Sequence, residues 1–324
     1  MITVSSNNMK ASRVIAFFLA MLGGTLTAAE PARKNVLFLI ADDLNNYLGC
    51  YGDPRAKTPN IDRLAARGTR FQRSYCTFPL CGPSRNSLLT GLYPNSTGIL
   101  GNSQIFRQTI PSQHSLSLSF RLAGYFAGRI GKLYHYNVPN SMGTNGHDDP
   151  ASWELELNPA GVDRLEELPH VFTLTPGQFG GTLSWYASPK SDEYHTDALM
   201  AADAGWVLER CAKQGHRPLV LRGRQPNLAQ TPTPQGRAGN PLFGYSLRTI
   251  RWRYTEWDEG RAGRELYDHE TDPREITNLA GKPDQAAVVE DLSSQIRSAV
   301  KNTFPADGKS PAFKDGLWAP NLTE

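Results

Sequence analysis

The sequence predicts an α/β fold. Three observations carry that prediction: a continuously apolar run that stops at two aspartates, strand-like and helix-like patterns that alternate as far as Leu221, and a length of 324 residues, ample for a substantial core. Asn35-Val-Leu-Phe-Leu-Ile40 has the unbroken apolar character of a buried parallel strand, and Asp42 and Asp43 follow it directly. Ligands of open α/β sheets gather at that carboxyl edge.

The remaining elements follow in order. Thr58-Pro59 reads as an N-cap and first helical residue, Ile61, Leu64 and Ala65 form an apolar face, and Gly68 stops the helix. A second helix is expected from Pro83 to Thr90 with Gly91 as its stop, and a third from Leu116 to Ala123 ending at Gly124. A strand near Tyr125 to Ile130 comes next, then a helical pattern from Ala198 through Trp206 and Val207 to Cys211, then a strand at Arg217-Pro-Leu-Val-Leu221. From Arg222 onward Arg, Gln, Pro, Thr and Gly replace apolar periodicity, so residues 222–240 read as a linker or junction. Beyond it, strands are expected from Ser246 to Trp257 and over Glu265-Leu-Tyr-Asp268, with a helix from Ala286 to Val300. The expected division is thus 1–29, 30–221, 222–240 and a small α+β unit at 241–324.

Bulk properties exclude some functions. The net charge of +3 and pI near 8.6 are spread along the chain without a Lys/Arg tract, which argues against a nucleic-acid partner. Lys10 and Arg13 precede an apolar run from Val14 to Leu26 and then Thr27, Ala28 and Ala29, the pattern of a secretory signal cleaved near Ala29. That run is shorter than the roughly 20 residues a bilayer span needs, and Gly23 and Gly24 interrupt it, so no stable membrane span is expected. Export would place Cys50, Cys76, Cys81 and Cys211 in an oxidising compartment, where one disulfide is conceivable without being assignable.

Chemistry concentrates at three places. Asp42 and Asp43 together are candidate ligands of a hard cation, although acidic pairs in loops are more often solvated. In Cys81-Gly-Pro-Ser-Arg-Asn-Ser-Leu-Leu-Thr-Gly91, Pro83 and Ser84 open a helix whose free N–H groups favour an anion, and Arg85 lies one turn inside. Gly131-Lys132-Leu-Tyr-His135 offers a cation and an imidazole three residues apart.

Together these segments resemble the type I sulfatases of the iduronate-2-sulfatase-like kind, in which C-x-P-S-R opens a short helix ending in Thr-Gly and a G-K-x-x-H element follows. The resemblance includes Thr58-Pro-Asn-Ile-Asp-Arg-Leu64, Gly244-Tyr-Ser-Leu-Arg-Thr249, Arg253-Tyr-Thr-Glu-Trp257 and Glu265 to Asp268, continuing through Asp272-Pro273 to Asn278-Leu279. It implies an alkaline-phosphatase-like mixed sheet sandwiched by helices, with a small α+β C-terminal subdomain. It also implies sulfuric ester hydrolysis on a sulfated carbohydrate. By the same resemblance Cys81 is oxidised to formylglycine by a formylglycine-generating enzyme, and one hydroxyl of the aldehyde hydrate attacks sulfur while the other expels sulfate. Arg85, Lys132 and His135 are implied to bind sulfate and manage protons, and Asp42, Asp43 and residue 81 to hold Ca²⁺. A phosphatase on the related fold is the weaker reading, since Ser or Thr usually stands where Cys81 does.

The resemblance also has a gap. Between the strand ending near Leu221 and Gly244, a family member carries a long stretch with a Lys-Pro-His element, an Asp-His or Asp-Asn metal pair and a further Lys. Here Leu221 runs straight into Arg222-Gly-Arg-Gln-Pro226. Asp268-His269 belongs to the Leu-Tyr-Asp turn, and His147-Asp148-Asp149 reads as a loop, so neither replaces the pair. Asp42, Asp43 and a modified Cys81 would then offer about three to five oxygens where Ca²⁺ prefers six or more, giving a weak site or an impaired remnant that only binds anions. Exposed apolar edges are expected where the missing strands and helices would have packed.

Overall fold

The computed structural model describes residues 33–179, 183–224 and 244–307, with the backbone alone at 222–224. The chain divides into Met1–Asn35 and Val36–Glu324, and every element below lies in the second unit. The expected signal segment, most of the 222–240 junction and residues 308–324 fall outside the described residues.

The strands are β1 (Val36–Ala41), β2 (Phe126–Ile130), β3 (Leu155–Leu157), β4 (Phe172–Thr173), β5 (Ser184–Trp185), β6 (Pro218–Arg224), β7 (Gly244–Arg248), β8 (Trp252–Trp257) and β9 (Gly263–Asp268). The helices are α1 (Pro59–Ala65), α2 (Cys81–Thr90), α3 (Pro94–Thr97), α4 (Phe106–Thr109), α5 (Leu116–Leu122), α6 (Val162–Leu165), α7 (Thr196–Gln214) and α8 (Ala286–Lys301). β1, β6, β2 and β3 form a parallel sheet in that order, with Phe38 opposite Leu221 and Ala127 opposite Leu219.

Both faces of the sheet carry helices, because alternate residues point opposite ways. Leu219 and Leu221 join Ala127, Leu89, Phe106 and Trp153 in one core, against which Val36, Phe38 and Ile40 pack. Val220 and Ile130 face the other way and meet Met200, Val207 and Cys211 of α7. β4 and β5 form a separate antiparallel pair. β7, β8 and β9 make an antiparallel sheet whose Tyr254 and Leu266 pack on Val289, Leu292 and Ile296 of α8. Thr303 ties this unit to the helix region near α3, its Oγ1 accepting from Asn95 Nδ2 at 2.7 Å and its carbonyl from Ser96 Oγ at 2.5 Å.

Several expectations need correction. β1 is not buried on both sides: it is the last strand of its sheet among the described residues, and Leu37 and Leu39 are 47% and 53% exposed. The exposed apolar surface expected from the missing stretch lies on the face of the sheet that carries α7, where Leu37 sits beside Val220 but the core around α7 takes in β6, β2 and β3 and no described residue of β1. Thr58 does not cap α1 with its hydroxyl, which donates to Asp62 and accepts from the Gly49 N–H. Leu64 is exposed. The strand at 217–221 continues to Arg224, shortening the junction, and the single strand expected from Ser246 to Trp257 is a hairpin that turns at residues 249–251. The four cysteines form no disulfide with one another.

Candidate active site

β1 ends at Ala41, and the next residue points its carboxylate at two cations delivered by distant parts of the chain. Arg85 Nη2 lies 2.7 Å from Asp42 Oδ1, and Lys132 Nζ donates to Asp42 Oδ2 at 2.7 Å. Asp43, one residue on, takes the left-handed conformation at φ 52°, a sparsely populated state for a non-glycine residue that turns the chain at the strand end.

Arg85 comes from α2. That helix begins at Cys81 and ends where Gly91, at φ 70°, returns its N–H to the Ser87 carbonyl, a left-handed C-terminal stop that favours glycine. Gly82 is required by a close approach: a Cβ there would meet the Gly101 carbonyl oxygen at 2.9 Å and Asn102 Oδ1 at 3.0 Å. Asn102 Oδ1 instead accepts the Gly82 N–H at 2.8 Å and so satisfies one of the open donors at the helix start. Gln104 shapes the loop, accepting from the Leu100 and Gly101 N–H groups and donating to the Gly98 carbonyl.

Lys132 and His135 follow β2 and are buried, 1% and 4% exposed. Arg85 Nη1 donates to the Lys132 and Leu133 carbonyls at 3.2 and 2.9 Å, so one guanidinium joins α2, β1 and the segment after β2. The Lys132 ammonium also lies 5.8 Å from the Tyr136 ring centre. The His135 ring is 5.9 Å from that of His147, whose N–H donates to the His135 carbonyl.

The electrostatics follow from this geometry. Burial would raise the Asp42 carboxyl, but Arg85 and Lys132 together hold it below its ordinary range. Asp43 lacks such close partners, and burial with the neighbouring Asp42 charge pushes it up. Burial and Asp42 also raise the Cys81 thiol, which therefore stays protonated at neutral pH and is a poor nucleophile as a thiol. Burial, reinforced by the Lys132 charge, lowers His135 to about 3, leaving a neutral imidazole.

All six residues expected from the sequence belong to this region: Asp42, Asp43, Cys81, Arg85 and Lys132 share one set of charge interactions, and His135 sits on the same loop as Lys132. Asp42, Asp43 and Cys81 present ligand atoms within 4.8 Å of one another, the geometry of a metal half-site. Both Asp42 oxygens are already held by cations, and the donor set falls short of the six to eight oxygens or so that Ca²⁺ takes. The residues therefore fit one side of a cation site and not a closed one. The rejected substitutes are structural: Asp148 pairs with Arg129, Asp149 with Arg107, and Asp268 with Arg251. Asn102 and Tyr136 were not singled out from the sequence and no local pattern marks them, while His147, weighed there only beside Asp148 and Asp149 as a replacement for the metal pair, instead lies against the His135 ring.

Comparison with known proteins agrees with this geometry. The sulfatase family model matches residues 34–218. A sulfatase of Formosa agariphila is 34% identical over 206 residues, covering 59% of this chain and 38% of the relative. Human iduronate 2-sulfatase is 36% identical over 121 residues, 37% of this chain and 22% of the relative. The chain thus matches well under half the length of these relatives. The phosphonate monoester hydrolase of Agrobacterium radiobacter superposes with a TM-score of 0.54 at 14% identity, covering 84% of this chain and 96% of that one, a likeness of fold. Since the family model takes in more than half of the sequence, from before β1 to the start of β6, the chain belongs to the sulfatase family, with type I, iduronate-2-sulfatase-like character.

Proposed function

We propose that the chain is an exported sulfuric ester hydrolase that removes sulfate from a sulfated sugar or polysaccharide, with Cys81 as the precursor of its nucleophile. The observation that carries this reading is the meeting of Asp42, Asp43, Cys81, Arg85 and Lys132 where β1 ends and α2 begins. When present, formylglycine at position 81 supplies a hydroxyl nucleophile that the protonated thiol does not. A formylglycine-generating enzyme is the required partner. Bound calcium would add positive charge against the sulfate oxygens, held by Asp42, Asp43 and residue 81.

The chain's own residues do the rest. Lys132, anchored on Asp42, places a buried ammonium beside the nucleophile, where it offsets negative charge gathering on a sulfate oxygen. Arg85 fixes the start of α2 against the Lys132 and Leu133 carbonyls and so sets the position of residue 81. His135 is held neutral by burial and the Lys132 charge, so its role in this reading is to steer a hydroxyl of the modified residue 81 by hydrogen bonding and not to store a proton. The C-terminal unit over 241–324 is read as a subdomain and the N-terminal segment as an export signal cleaved near Ala29. Among the described residues no helix is long and apolar enough to cross a membrane.

The test is co-expression with a formylglycine-generating enzyme, intact mass to establish conversion at Cys81, and sulfate release from aryl and sugar sulfates in Ca²⁺. Converted protein that turns over nothing in a broad panel overturns the reading. One observation favours a second reading, an impaired remnant that only binds anions: Arg85 and Lys132 already occupy both Asp42 oxygens. Sulfate binding by calorimetry without turnover would establish it.

A further inference from the structure

The Lys132 and His135 side chains ride on a loop that leaves β2 at Gly131 and returns at Asp148. Both ends of that loop converge on a single side chain, Arg129, which lies on β2 and is 1% exposed. At the departing end, Arg129 Nη1 donates to the Gly131 carbonyl at 2.5 Å. At the returning end, its Nε lies 2.8 Å from Asp148 Oδ2, an ion pair whose angle falls outside that of a hydrogen bond. The fork also reaches β3 and the residue after it, with Nη1 donating to Asn158 Oδ1 at 2.8 Å and Nη2 to Glu156 Oε2 at 3.1 Å.

Nothing in this set touches the reacting region. The loop's returning end is held further by Trp153 Nε1, which donates to Asp148 Oδ1 at 3.2 Å. Inside the loop, the His147 N–H donates to the His135 carbonyl at 3.0 Å, and Gly146, at φ 59°, packs so closely that a Cβ there would meet Tyr136 Cβ at 2.5 Å. Asp148 is thus tied, through its chain neighbour His147, to the His135 carbonyl. A fully buried guanidinium is costly to desolvate and is retained where its geometry is needed.

We propose that Arg129 is a positioning residue: by clasping the Gly131 carbonyl and the Asp148 carboxylate it closes the loop and sets the places of Lys132 and His135. This rests on the reading of those two residues as part of the site. Only a planar fork can bridge both ends, so lysine at 129 supplies charge without the clasp.

The test uses the full chain with labelled histidine, comparing wild type with Arg129→Lys, Arg129→Met and Asp148→Asn. Imidazole nitrogen resonances of His135 and His147 report the loop, and titration with inorganic sulfate reports the site. In folded variants the clasp predicts displaced resonances of both histidines and sulfate affinity lowered by about tenfold or more, the scale of losing a supporting partner of a site residue. Arg129→Lys should recover thermal stability over Arg129→Met while leaving the resonances displaced. Unmoved resonances in folded Arg129→Met overturn the proposal, and if that variant does not fold, unmoved resonances in Asp148→Asn do so. Wild type that binds no sulfate counts against the reading of the site instead, while the resonances still decide the clasp.

Discussion

Asp42→Asn is the most informative single change, because it removes one negative charge from between two buried positive ones. The side chains of Asp42, Arg85 and Lys132 are 7%, 6% and 2% exposed, and both contacts are 2.7 Å long. Breaking a buried pair by deleting one partner typically costs about 3–5 kcal/mol, since the remaining charge keeps its desolvation penalty. Asparagine retains one acceptor for Arg85, and Asp43 is near enough to feel both cations, so the lower end, about 3 kcal/mol, is expected. Urea unfolding should show a lower midpoint with an unchanged slope. Combining Asp42→Asn with Lys132→Met should cost less than the sum of the two by about 1.5 kcal/mol or more, as for residues in one network. The pH dependence has a definite sign. The folded carboxyl titrates below its ordinary 3.8, so its contribution is present above that pH and is lost as pH falls through the lower folded value. The variant's acid limb should be correspondingly flatter. A loss below about 1 kcal/mol, the level of an exposed pair, or an additive cycle would refute this account.

Three other outcomes follow from the geometry. Burial pushes the Asp148 carboxyl from 3.8 to about 6, with Glu156 adding to the rise and Arg129 opposing it. The folded state then binds the extra proton, so wild-type stability relative to Asp148→Asn should fall as pH rises from about 4 to 6, by up to about 1.4 kcal/mol per unit; a difference that grows over that range refutes it. Gly82→Ala gains up to about 1 kcal/mol of helix propensity but drives a methyl into the Gly101 carbonyl, so a net loss of about 1–2 kcal/mol is expected in chemical denaturation. Leu221→Ala, fully buried, should lower stability by about 2–5 kcal/mol, whereas Leu39→Ala, half exposed on the outer face of β1, should cost under about 1 kcal/mol, and equal costs would show that β1 is covered in solution.

Much of the fold was legible because its signals are local. Gly91 stops α2 and Gly124 follows α5 as expected, and the apolar stripe of α7 brings Met200, Val207 and Cys211 onto the sheet. The failures were those of context. An apolar run reads the same whether a strand is central or at an edge, so Leu37 and Leu39 gave no warning of exposure. The Ser246 to Trp257 alternation likewise hides a turn that only strand pairing reveals.

By itself the sequence determined the succession β1, α1, α2, α5, β2, α7 and β6, the stop residues, and the six polar residues that carry the sulfatase resemblance, because periodicity, turn chemistry and motif spacing are all short-range properties, while β3, β4, β5 and the one-turn helices α3, α4 and α6 carry too little pattern to be read. Only the tertiary structure decided what those residues do to one another. Asp42 and Lys132 lie 90 positions apart, and a parallel sheet that sets β6 between β1 and β2 brings them to 2.7 Å. Arg129 drew no notice in the sequence, because a buried arginine is defined by the carbonyl and the carboxylates that surround it, and these arrive from β3 and from a loop that closes only when the chain is folded.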